Sequence, residues 1–327
     1  METRQLGRTG LQVSLLTFGC GAVGGLMTKG APEDQLRAIE HALEIGVNFI
    51  DTAALYGDGA SETNVGRILK QLKPDVILGT KVRVADHEKQ TIGQAITQSL
   101  EHSLLRLQRD HVDLLQLHNS ISDAGQDRDL TADVVLNEVV PVFEQLKREG
   151  KIRYSGMTAL GDTPALRTVI EAGVFDTAQI VFNLLNPSAG FSDRQAYSGQ
   201  DYDSLLTRAK AAGMGTIVIR TLAGGALSGD AARHPLGMQN VAPLGSGKDY
   251  ATDVARAREM AAKMGLPADV SPVETAIRYV AGHPDVSTLQ VGIATVDQFD
   301  GAASAVNLGP LAPELLQQIS ELQSEKP

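Results

Sequence analysis

Residues 33–51 read EDQLRAIEHALEIGVNFID. Leu36, Ile39 and Leu43 fall on one face of a helix, Gly46 stops it, and Val47-Asn48-Phe49-Ile50-Asp51 is a short apolar run ending in a carboxylate. A helix that closes on glycine and hands over to a buried strand is one turn of a repeated β/α unit. The pattern recurs along the chain. Val134 to Glu149 stops at Gly150 before Ile152 to Thr158, and Leu166 to Ala172 stops at Gly173 before Ala178 to Phe182. Leu205 to Ala212 stops at Gly213 before Thr216 to Ile219, and Val273 to Ala281 stops at Gly282 before Thr288 to Val291. Leu15 to Phe18, Val76 to Thr80 and Leu114 to Leu117 bring the strands to eight, each followed by a helical pattern. Eight is the number at which a parallel sheet closes with its interior filled by side chains. The expectation is an α/β fold, a (β/α)8 TIM barrel, as a single domain over residues 1–327. The competing architecture, an open doubly wound sheet, lacks its GxGxxG loop after an early strand.

Ahead of the first barrel strand, Arg4 to Leu6 and Gln12 to Ser14 flank Gly7-Arg8-Thr9-Gly10, which reads as an N-terminal β-hairpin plugging the barrel. Three connections are too long for simple turns: Asn119 to Asp133, Leu184 to Asp203, and Thr221 to Thr252. All follow strands, so in a barrel they crowd the C-terminal rim, the face that carries chemistry. Asn183, Asn186, Phe191, Tyr197, Tyr202 and Tyr250 are the expected pocket lining, and His234 an exposed turn residue.

Composition narrows the partners. A formal net charge of −10 repels phosphate backbones and anionic lipid surfaces, so nucleic acid and membrane are expected to be absent as partners and a small molecule remains. A lone Cys20 forms no internal bridge, no run approaches the eighteen apolar residues of a membrane span, and METRQLGRTGLQVSLL lacks an apolar core with a cleavage site. The expected location is cytoplasmic.

Four polar residues close successive strands or open the loops just after them: Asp51, Tyr56, Lys81 and His118. Each has a plainer reading alone. An Asp past a strand caps a helix, a Lys or Tyr at a strand end is a solvated rim residue, and a lone His is a structural one. Placed on consecutive strands of one mouth, they suit acid-assisted carbonyl reduction, because hydride addition builds negative charge on oxygen and needs a proton donor within reach. Tyr56 is the expected donor, acidified below its ordinary pKa of ~10 by the Lys81 ammonium. Asp51 holds Lys81 charged, and His118 orients the carbonyl.

These residues reach a known family. The chain resembles the aldo-keto reductases through Leu6-Gly7-Arg8-Thr9-Gly10-Leu11-Gln12-Val13-Ser14, Phe18-Gly19, Asn48-Phe49-Ile50-Asp51-Thr52-Ala53-Ala54-Leu55-Tyr56-Gly57, Gly79-Thr80-Lys81 and Asp113-Leu114-Leu115-Gln116-Leu117-His118. The resemblance implies the catalytic set Asp51, Tyr56, Lys81 and His118, and a helix start at Ser61-Glu62. It implies a nicotinamide cofactor held around Gly19, Cys20, Gly21 and Asp51, with Thr158 and Gln179 on the carboxamide. Arg220, Thr221, Leu222, Gly224, Leu227 and Gly229 after the seventh barrel strand, and Gly292, Thr295 and Gln298 after the eighth, are implied for the phosphates and adenosine. By motif alone, a glycine-rich loop and a helix start are weak anion sites, each with a plain reading as surface loop or cap.

The chain departs from the family pattern in several places. Thr158-Ala159 replaces Ser-Asn, Ile219 stands where an aromatic stacks on the ring, Arg220-Thr221-Leu222 replaces Ser-Pro-Leu, and Gly301-Ala302 replaces Glu-Asn. Family habit points to NADP. No Lys or Arg lies between Val286 and Asn307, where a 2′-phosphate calls for a charge-assisted partner, so NAD is the alternative. Arg220 has three open roles: phosphate, acidic substrate, or rim salt bridge. Two other functions compete, a Schiff-base aldolase using Lys81 and a non-catalytic nicotinamide-binding sensor or regulatory subunit. No metal is expected, since the seven His residues include no HxH or HExxH pattern.

Overall fold

The apolar runs form strands because their β-branched and leucine side chains are buried on both faces, as a parallel sheet flanked by helices requires. A computed structural model describes residues 1–125, 129–192, 199–243, 249–267 and 269–324. The hairpin strands β1 (Thr3–Gln5) and β2 (Gln12–Ser14) pair antiparallel, Arg4 opposite Val13. The barrel follows as β3 (Leu16–Gly19), β4 (Phe49–Asp51), β5 (Ile77–Val82), β6 (Val112–Leu117), β7 (Ile152–Ala159), β8 (Thr177–Val181), β9 (Gly215–Ile219) and β10 (Thr288–Gly292). Neighbours in sequence are neighbours in the sheet, all parallel, and β10 closes it by pairing with β3, Leu289 against Leu16. Among the described residues no helix is long and apolar enough to cross a membrane.

The hairpin seals the floor. Leu6 and Val13 pack with Phe49, Ile77, Leu114 and Ile217 into a small apolar cluster separate from the main core. Burial of side chains this size stabilises by roughly 1.5–3 kcal/mol each. The connecting turn Gly7–Thr9 is pinned to the barrel by Arg8, whose backbone nitrogen donates to Gly213 O at 2.8 Å and whose Nη1 donates to Gly173 O at 2.9 Å. Gly7 is required there: its φ is +51°, and a Cβ would stand 2.1 Å from the Gly215 nitrogen.

At the other end lie the long connections. After β9, a turn over Ala223–Ser228 leads into a segment that crosses the mouth and docks on the loop after β3. Met238 N donates to Ala22 O at 3.1 Å, and Arg233 Nη2 donates to Val23 O at 3.2 Å. A helix over Tyr250–Met264 then precedes the one over Pro272–Ala281, and Pro313–Ser324 closes the chain. The helix expected over Val134 to Glu149 contains a wide turn, Val135–Val139, before continuing as Val140–Arg148.

Candidate active site

Asp51 ends β4 facing the barrel interior, 1% exposed, beside Gly79, where a Cβ would lie 3.3 Å from Asp51 Oδ1. Its oxygens accept from three donors on three other strands. Lys81 Nζ donates to Oδ2, Gln116 Nε2 to Oδ1 at 2.9 Å, and Gln179 Nε2 to Oδ1 at 3.1 Å. Lys81 Nζ also donates to Thr52 O at 2.7 Å. Room for the Gln116 side chain comes from Gly156 on β7, where a Cβ would stand 3.0 Å from Gln116 Cγ. Gln116 was not read from the sequence as a site residue; its only signal was an amide in the middle of an apolar strand.

Burial pulls the Lys81 ammonium down, but the charges of Asp51 and Tyr56 and their hydrogen bonds outweigh it, and its pKa stands above the ordinary lysine value. Tyr56 corrects the sequence-based expectation. Burial pushes the phenol up, Lys81 pulls it down, and burial wins, so Tyr56 is less acidic than a free tyrosine rather than more. His118 is neutral: burial, then Lys81 and Arg83, push it down to about 3. Its ring meets Tyr56 edge to face, with centroids 5.8 Å apart, and its buried Nδ1 has no protein partner. Burial also pushes the Cys20 thiol up. Ser61 and Glu62 lie in the helix Ala60–Leu72, Ser61 bonding Thr52 Oγ1 at 2.8 Å and Glu62 accepting from Arg106 and Thr80.

Tyr56 and His118 line a cavity of about 800 Å³ that opens at the C-terminal ends of the strands. With them on its wall are Gly19, Gly21, Thr158, Gln179, Arg220, Thr221, Leu222, Gly224, Gly292 and Gln298, all read from the sequence as cofactor residues. Cys20, Asp51, Leu227, Gly229 and Thr295 are not on the wall. Cys20 and Asp51 are buried behind it, Leu227 packs into the core, Gly229 closes the turn after Ser228, and Thr295 caps its helix by accepting from Gln298 N. Lys81 is also behind the wall.

The substrate-lining expectation is largely corrected. Of the six residues, Tyr250 lines the cavity. Asn183 accepts from Leu185 N and Asn186 N and donates to Arg220 O at 2.9 Å, so it shapes backbone. Asn186 is buried in the same turn, accepting from Ser188. Phe191 packs on Phe182, Tyr279 and His283, and Tyr202 is buried. Tyr197 lies outside the described residues. His234 is exposed and also reaches the wall, as do Arg233, Gln290, Ser228 and Glu274, none of which was singled out for the cavity.

Arg220 is half-buried with a left-handed backbone, φ +59°, because its carbonyl accepts both Asn183 Nδ2 and Ala223 N. Its guanidinium donates to Ala242 O at 3.3 Å, and no ion pair is formed by it among the described residues.

A closed eight-stranded barrel with a floor hairpin and a rim cavity walled by a phenol and an imidazole defines a (β/α)8 barrel with its site at the C-terminal mouth. The Aldo/keto reductase family model matches residues 15–324, and the chain belongs to that family. It is 28% identical over 311 residues to an L-galactose dehydrogenase of Arabidopsis thaliana, covering 94% of this chain and 88% of the relative. It is 27% identical to a putative voltage-gated potassium channel subunit beta of Schizosaccharomyces pombe, covering 99% and 94%. The holo form of an aldo-keto reductase from Bacillus halodurans superposes with a TM-score of 0.75 at 27% identity, covering 100% of this chain and 98% of that one. The family binds nicotinamide cofactors and acts on small-molecule carbonyl substrates.

Proposed function

We propose that this protein exchanges hydride between NAD(P)(H) and a carbonyl/alcohol pair, an aldehyde, ketone or sugar, with Tyr56 as the proton donor and acceptor. The observation that carries the reading is the division of the four residues: Tyr56 and His118 face the cavity, while Lys81 and Asp51 sit directly behind them, fully buried.

The cavity wall suits a dinucleotide. Its volume lies within the roughly 300–1,000 Å³ of small-molecule sites. Thr158 Oγ1 and Gln290 Nε2 are buried polar atoms without a protein partner on residues of that wall, as carboxamide and sugar hydroxyls would require. Gly224 and Gly225 lie on the cavity wall with positive φ, +71° and +110°, and Arg220 Nη1 lies 3.0 Å from where a Gly224 Cβ would be. A diphosphate there would meet the Arg220 guanidinium, whose hydrogen bond among the described residues is the 3.3 Å contact to Ala242 O. Thr158 and Gln179 would hold the nicotinamide end, and the loop after β10 the adenosine.

When bound, the reduced dinucleotide supplies the hydride. Tyr56 gives its hydroxyl proton to the carbonyl oxygen as charge builds there. A raised phenol pKa keeps that proton in place at neutral pH, and the Lys81 ammonium stabilises the phenolate left behind. His118, uncharged, polarises the carbonyl without competing for the proton. In the oxidative direction the same groups accept the alcohol proton. Schiff-base chemistry fits less well, because Lys81 is buried behind the wall, where a carbonyl carbon has no approach. Binding of NADH and NADPH followed by titration tests the reading; failure of both to bind below millimolar removes it.

A further inference from the structure

We infer that the chain selects a dinucleotide without a 2′-phosphate, NAD(H) over NADP(H), and that Glu274 is the specificity-determining residue. The inference rests on the hydride-transfer reading and reverses the cofactor order expected from family habit.

From Tyr56 the cavity extends away from the mouth until it lies between the helices Pro272–Ala281 and Val296–Asn307, where Ser271, Glu274, Gly301, Ser304 and Leu308 form its wall. With nicotinamide beside Tyr56 and the diphosphate over Gly224 and Gly225, this remote end receives the adenosine. The charges on the wall are unevenly placed. Both lining guanidinium groups, Arg220 and Arg233, belong to the connection after β9. Arg233 is committed there, donating to Met238 O at 2.6 Å, Gly224 O at 2.6 Å and Val23 O at 3.2 Å.

At the remote end the charged lining group is a carboxylate. Glu274 is half-buried, with its backbone nitrogen capped by Ser271 Oγ at 3.0 Å. Between Val286 and Asn307, the unit β10 and the helix after it, there is no Lys or Arg. The cation near Glu274 is Arg278, which is not on the wall. Each of its nitrogens is engaged, Nη1 to Glu274 Oε1 at 2.8 Å, Nε to Gly309 O at 3.0 Å and Nη2 to Pro310 O at 2.9 Å.

A doubly charged phosphate entering this space loses water, finds no free cation among the described residues and meets a carboxylate whose own cation, Arg278, is already engaged. A ribose 2′-hydroxyl in the same space can donate to the Glu274 carboxylate, as an acidic residue does toward NAD in the open doubly wound folds. One missing charge-assisted hydrogen bond is worth about 1.5–3 kcal/mol, hence about tenfold or more in affinity.

Calorimetric titration of the substrate-free protein with NADH and with NADPH at one ionic strength tests this. NADH is expected to bind at least tenfold tighter, and ADP to compete with NADH better than adenosine 2′,5′-bisphosphate does. Glu274→Gln is expected to narrow the NADH/NADPH ratio severalfold, mainly through tighter NADPH. Equal or tighter NADPH in the wild type overturns the selectivity, and an unchanged ratio in Glu274→Gln overturns the assignment to Glu274. Both nucleotides failing to bind overturns the hydride-transfer reading itself, and the selectivity with it.

Discussion

Lys81 stands over the face of the Tyr56 ring, its ammonium nitrogen 4.9 Å from the ring centroid. The contact does two things at once. It attracts the ring electrostatically, and it sets a positive charge where a phenolate would appear. Because Asp51 keeps that charge in position from below, the three side chains form a column from the barrel interior to the cavity. Burial raises the phenol in the resting protein, so the column's service to catalysis lies in stabilising the phenolate after proton transfer rather than in making Tyr56 a stronger acid beforehand.

Tyr56→Phe keeps the ring, the cavity shape and the ammonium contact while removing the proton. Turnover is expected to fall by about 100- to 10,000-fold, the range of general acid catalysis. Dinucleotide affinity is expected to stay within about twofold. Steady-state kinetics together with cofactor titration separate the two, and undiminished turnover excludes Tyr56 as the acid.

Gln116→Leu removes one of the three donors to Asp51 without charging or opening the interior. A hydrogen bond to a charged group is worth about 1.5–3 kcal/mol, so kcat is expected to drop about tenfold while KM for the carbonyl holds, because Gln116 touches neither substrate nor cavity. A pH profile of kcat in the variant, read against wild type, is expected to shift as Asp51 loosens its hold on Lys81. Unchanged kcat and pH profile would reduce Gln116 to a packing residue.

Much of the fold was legible because five of the eight barrel strands follow a helix that ends on glycine; Gly46, Gly150, Gly173 and Gly213 adopt positive φ, whereas Gly282 stays right-handed at φ −74°. Local chemistry decided those turns. Tertiary contact decided what was misread. Phe191 and Tyr202 sit on a long rim connection and read as pocket aromatics, yet both turn inward, Phe191 onto Phe182 and His283. The bent backbone at Arg220 depends on Asn183, which is 37 positions away in the chain. Charge proximity at Tyr56 could be anticipated from strand order, but the depth of its burial could not, and burial fixed the direction of the shift.

Gly7→Ala tests the floor of the barrel. The new Cβ would sit 2.1 Å from the Gly215 nitrogen and 2.4 Å from the Met214 carbonyl carbon, at a φ that disfavours side chains. Relief requires the hairpin to lift, uncovering Leu6 and Val13. Unfolding free energy in denaturant is expected to fall by about 3 kcal/mol or more. Because the floor and the mouth are at opposite ends of the strands, kcat of the folded fraction is expected to match wild type.

His118 makes the fold acid-sensitive in a defined window. An ordinary histidine titrates near 6.5, whereas burial, then Lys81 and Arg83, hold this one down to about 3. Between those values the unfolded chain takes up a proton that the folded chain refuses, so the unfolded state gains and stability falls as the pH drops. Above about pH 6.5 both states are neutral here and the effect vanishes. By pH 4 the deficit from this one group amounts to roughly 3 kcal/mol. His118→Gln cannot take up that proton in either state. Denaturant melts at pH 7 and pH 4 are therefore expected to show wild type losing roughly 3 kcal/mol more than the variant over that interval. Equal losses in the two proteins would mean that the imidazole accepts a proton inside the fold, and His118 could then no longer be assigned a neutral role beside Tyr56.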